Sequence, residues 1–74
     1  MLKVVYLNDS HPSRSWNNGY YIVLNDGERI LNLCRLTNGV PETDDNGDLV
    51  DSVCTGCFNL ALEETNLFYD TKKS

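Results

Sequence analysis

Positive charge is what this chain has least of. It carries 6 Lys and Arg against 11 Asp and Glu in 74 residues. Two of the six cations, Lys72 and Lys73, sit at the very end. Residues 1–71 therefore hold 4 cations against 11 anions, a net charge of −7. A field of that sign repels phosphate backbones, so direct nucleic-acid binding is not expected. It favours a basic partner protein, or a cation.

Long apolar runs are missing as well. No stretch approaches the ~20 apolar residues of a membrane span. The apolar opening of the chain, Met1 to Leu7, gives way to Asn8-Asp9 with no small-residue cleavage site after it. A secretory signal is not expected on that pattern, and a cytoplasmic protein is. Cysteine is sparse and odd in number, at three. An odd count argues against a closed secreted disulfide framework and fits reduced thiols or a metal site better. There is one histidine, His11, and no spacing sets a nucleophile, a base and an oxyanion stabiliser together. The expectation is a protein that is not an enzyme.

Alanine occurs once, whereas asparagine occurs nine times. Asn and Asp side chains hydrogen-bond to their own backbone in turns and caps. The expected architecture is thus mostly β. It is a small antiparallel sheet or compact barrel-like domain of four to five short strands, with a short C-terminal helix as an alternative. Residues 1–71 read as a single domain and 72–74 as a frayed tail. A chain this short buries only about 60% of its unfolded surface. Chains of about this length often need a metal, a disulfide or a second copy for stability.

Residues 2–7 read as a strand, with Leu2, Val4 and Tyr6 on one face and Lys3, Val5 and Leu7 on the other. Both faces are partly apolar, which fits a central strand. Residues 8–18 form a polar loop. Two apolar runs, 20–24 and 30–36, flank Asn25-Asp26-Gly27, the chemistry of a tight hairpin turn. In the second run Leu31, Leu33 and Arg35 alternate with Asn32, Cys34 and Leu36, and Thr37-Asn38-Gly39 ends it. Pro41 has no place in a sheet interior, and Asn46-Gly47 is a turn signal. Residues 49–53 read as a short strand, with Leu49, Asp51 and Val53 on one face. Residues 58–70 fit two patterns. Alternation points to a hairpin of 58–63 and 67–70 around Thr65-Asn66, whereas Phe58, Leu62 and Thr65 also fall at helical spacing. Strand is the preferred reading, because the rest of the chain is strand-like.

Four groups of residues bear on chemistry. Cys54-Thr55-Gly56-Cys57 is a turn that aims two sulfurs at one point, half of a tetrahedral zinc site. Cys34 and His11 are the other ligand candidates, and together the four make a Cys3His site. The bland alternative is that the cysteines are small buried hydrophobes. A redox dithiol is disfavoured, because that motif normally opens a helix in a fold too large for this chain. Glu42, Asp44 and Asn46, with Gly47 behind them, resemble part of an EF-hand loop. Val53 stands where calcium needs a bidentate Glu, and no helix precedes the loop. An acidic turn is the simpler reading.

The remaining two groups suggest binding. Trp16 and Arg14 are of the residue types that anchor interfaces, set against the alternative of a Trp folded over the core. Glu42, Asp44, Asp45, Asp48 and Asp51 are the densest charge cluster. By default they are a solvated loop. The sharper reading is that they meet Arg and Lys on a basic, nucleic-acid-binding protein, as an inhibitor would. The function expected from sequence is a small acidic protein-binding module. The alternative is a zinc-stabilised structural or accessory domain.

Overall fold

The computed structural model describes residues 1–25, 29–55 and 61–70. These form six strands: β1 (Leu2–Asn8), β2 (Gly19–Val23), β3 (Asn32–Thr37), β4 (Val40–Pro41), β5 (Val53–Cys54) and β6 (Ala61–Tyr69). A kinked 3₁₀ segment, Pro12–Asn17, lies between β1 and β2. All strand pairs are antiparallel, in the order β4-β3-β2-β1-β6, with β5 also paired to β3. The mostly β antiparallel expectation is correct. The sheet is open rather than barrel-like and has six strands rather than four or five.

β1 is an interior strand, between β2 and β6. Its period-two alternation sorts the core into two clusters, one on each face. Val5, Leu7, Tyr21, Val23 and Leu33 pack on the first face, joined by Leu31, Val53 and Leu62. Val4, Ile22 and Cys34 pack on the second, joined by Leu2, Leu24, Leu36, Leu49 and Tyr69. The registers Val5↔Tyr21 and Val4↔Ile22 keep each set on its own side.

The β2–β3 connection is longer than a tight turn. Its last ladder pair is Val23↔Leu33, and Leu24 N–H donates to Asn32 C=O at 2.9 Å. Asn25 braces the connection: its Nδ2 donates to Ile30 C=O, and its Oδ1 accepts from Asn32 N–H. Asp26 and Gly27, the centre of the expected turn, lie outside the described residues. A two-residue turn occurs at Asn38-Gly39, between the paired residues Thr37 and Val40. Both turn residues have positive φ, 53° and 80°, as a type I′ hairpin requires.

The acidic stretch folds back as a second small hairpin. Thr43 bridges Leu49, and Val50 N–H donates to Glu42 C=O at 3.0 Å. Gly47, at φ 82°, closes a turn from Asp44. The expected strand 49–53 is shorter and divided. Leu49 belongs to this hairpin and packs on the second face, whereas Val53 pairs with Leu33 and packs on the first.

β6 is one nine-residue strand, so neither the helix nor the hairpin at Thr65-Asn66 forms. The turn signal is realised as a bulge. Lys3 faces Phe68 and Val5 faces Glu64, so two extra residues of β6 are absorbed opposite Val4. Thr65 fills the irregularity, its Oγ1 donating to Val4 C=O at 2.5 Å and accepting from Leu67 N–H at 3.1 Å. Among the described residues no helix is long and apolar enough to cross a membrane.

Candidate partner-binding site

The site is built outward from Asp9, which is 4% exposed at the end of β1. Its Oδ1 accepts from His11 N–H at 3.0 Å. Its Oδ2 accepts from Arg14 Nε at 2.9 Å and from Asn17 Nδ2 at 3.1 Å. The Arg14 guanidinium and the His11 amide hold this carboxyl down at about 2, against the opposing pull of desolvation. Pro12 opens the 3₁₀ segment, and His11 caps it by accepting from Ser13 N–H at Nδ1.

The far end of the segment is tied to the first face of the sheet. Tyr21, fully buried, donates its OH to Asn17 C=O at 2.7 Å. Arg35 Nε donates in turn to Tyr21 Oη at 3.2 Å, and its Nη2 donates to Trp16 C=O. The guanidinium carbon lies 5.5 Å from the centroid of the Tyr21 ring, in cation–π range. With the backbone fixed at both ends, the Trp16 side chain remains 64% exposed. The reading of Trp16 as folded over the core is therefore wrong.

Trp16 lines an open pocket of about 290 Å³ with Tyr21, Arg35, Glu42, Asp51 and Val53. The strand pairing explains the convergence. Glu42 N–H donates to Arg35 C=O just beyond β4, and Ser52 N–H donates to Leu33 C=O just before β5. Ser52 Oγ links the two sides, accepting from Arg35 N–H at 3.2 Å and donating to Glu42 Oε1 at 3.3 Å. Asp51 makes no hydrogen bond or ion pair within the described residues.

The sequence candidates thus divide. Trp16, Glu42 and Asp51 are brought to one pocket. Asp44, Asp45 and Asp48 are exposed at the tip of the neighbouring hairpin. Asp44 Oδ1 accepts from the amides of Asn46 and Asp48, at 2.9 and 3.0 Å, so this carboxylate caps its own turn. The helices that frame an EF-hand loop are absent here: β4 precedes the acidic hairpin and β5 follows it. Arg14 pairs with buried Asp9 and anchors the segment that carries Trp16.

The proposed metal ligands do not gather among the described residues. Cys34 is buried on the second face, where its thiol donates to Glu42 C=O at 3.3 Å and burial pushes its pKa up. Cys54 lies opposite Asn32, near the Leu24 end of β2. His11 caps the 3₁₀ segment, which leads into the Gly19 end of β2. No group of three His, Cys, Asp or Glu side chains able to hold a metal occurs among the described residues. Cys57 lies outside them.

Sequence reasoning missed Asp9, Asn17, Tyr21, Arg35 and Ser52. One signal was present for Arg35. It takes an inward position in an alternation whose other members, Leu31 and Leu33, are core residues. A second cavity, about 520 Å³ and open, lies among Val4, Tyr20, Leu36, Leu67, Phe68 and Tyr69. No protein-family model matches the chain, and no curated protein or solved structure is significantly similar to it.

Proposed function

We propose that this protein is an acidic binding module that docks on a basic surface of a larger cytoplasmic protein and blocks it, without catalysis of its own. The observation that carries the reading is the exposed Trp16 beside Glu42 and Asp51, next to a hairpin whose tip presents Asp45 and Asp48. A large aromatic anchor ringed by charge is the composition of an interface hot spot. Exposed carboxylates on a small hairpin meet Arg and Lys in charge-assisted hydrogen bonds. A nucleic-acid-binding protein offers the surface that fits, since its own ligand is an array of negative charges.

The test is capture from host lysate at low and high salt, with the wild type beside a Trp16→Ala/Asp51→Asn variant. The expected result is a basic protein retained by the wild type, lost from the variant and released steeply by salt. Equal retention by both forms, or retention indifferent to salt, would overturn the reading.

A further inference from the structure

The pocket beside Trp16 carries more specific information than the acidity of the chain as a whole. It contains two carboxylates, Glu42 and Asp51, and one resident cation, Arg35, giving a net charge of −1. Arg35 is already engaged, its Nε and Nη2 donating to Tyr21 Oη and Trp16 C=O. Neither carboxylate forms an ion pair with it, nor with any other described residue. Glu42 accepts a single hydrogen bond from Ser52, and Asp51 none within the described residues. Trp16 borders the same space and is more exposed than buried.

On this geometry, and resting on the docking reading above, we infer that the pocket receives a single arginine side chain from the partner. Charge complementarity sets the sign and number, since one added cation neutralises the pocket. The aromatic wall and the paired carboxylates select the guanidinium over an ammonium. A planar guanidinium stacks on an indole face while its five N–H donors reach carboxylates at its edge, whereas an ammonium is a compact, strongly hydrated donor with no face to stack. The apolar stem of the arginine finds Val53 at the pocket wall. Arg35 supports the assignment from behind: it holds the Trp16 backbone in place and leaves Glu42 and Asp51 free for the newcomer.

The experiment needs no knowledge of the partner. Three short peptides, identical except for arginine, lysine or citrulline at the centre, are titrated into the ¹⁵N-labelled full chain at fixed ionic strength. The arginine peptide is expected to shift the Trp16 indole resonance and the amides of Ser52 and Val53 with saturation. Citrulline, isosteric and uncharged, leaves them unmoved, and lysine binds more weakly. Glu42→Gln keeps the Ser52 hydrogen bond, so the fold is retained. It and Asp51→Asn each weaken the arginine peptide by about fivefold or more. Glu63→Gln, which removes the same charge on exposed β6 and outside the pocket lining, changes affinity by less than about twofold. Equal binding of the lysine peptide, or equal losses from Glu63→Gln and Asp51→Asn, would overturn the assignment. If the Trp16 indole stays unmoved while a basic partner is still captured in the lysate experiment, the arginine pocket fails and the docking reading stands. If the peptide binds and no partner is captured, the docking reading fails instead.

Discussion

Asp9 shows how much of the site depends on one carboxylate. It gathers the His11 amide, the Arg14 guanidinium and the Asn17 amide around itself, and so fixes the segment that carries Trp16. Its pKa in the folded protein is lowered from 3.8 to about 2. A carboxylate depressed on folding contributes stability above its unfolded pKa and loses it as pH falls through the folded value. Urea midpoints should therefore be level above about pH 5 and decline between about pH 4 and pH 2. Asp9→Asn should be less stable near neutrality and show a shallower acid decline. A variant with the full wild-type acid slope would place the titration elsewhere. Glu64 forms the other ion pair among the described residues, with Lys3 at 2.6 Å, but it is well exposed and contributes little.

At the scale of the elements, β6 shows what sequence periodicity reveals and what it hides. Thr65-Asn66 carries turn chemistry, yet the strand continues through it because β1 offers a continuous partner on both sides. Thr65 Oγ1 serves the backbone on either flank of the bulge. Thr65→Val keeps the shape and removes the hydroxyl. It should cost about 1–2 kcal/mol, read as a lowered urea midpoint with an unchanged m value. Other elements were legible for a local reason. The alternation in residues 2–7 and 31–36 is a property of each segment alone, and both segments pack as it implies. The turns were not ranked by sequence, since Asn25-Asp26-Gly27 and Asn38-Gly39 look alike. Register makes the second a two-residue turn, joining Thr37 directly to Val40. The site was legible in its residue types and not in its assembly. Trp16, Glu42 and Asp51 meet because β3 holds β4 along one part of its edge and β5 along another. That pairing is long-range and leaves no mark on any short window.

For the whole molecule, the excess of negative charge acts in two opposite directions. Self-repulsion weakens a compact state with a net charge of −5. Screening by salt relieves it, because the Debye length falls from about 30 Å at 0.01 M to about 8 Å at 0.15 M. The melting temperature should thus rise as sodium chloride is added over that range, while capture of the partner falls. A melting curve indifferent to salt would mean that local ion pairs already balance the field. Among the described residues β6 is an end strand, with Leu67 and Phe68 more than half exposed, an edge that small proteins usually blunt with charge or a bulge. Glu63, Glu64 and the Thr65 bulge supply both.

The position of β1 sets the order in which this protein can be made. Val4 and Thr65 are hydrogen-bonded across the sheet but lie 61 residues apart in the chain. On the ribosome, β1 emerges ahead of both its neighbours, and only β2 is close behind it. Its other side waits, with Leu62 not yet available to cover Leu7. Pairings between such distant segments form slowly, since loop closure comes before any reward. β1 therefore has no second neighbour until β6 has emerged, and the sheet is completed only then.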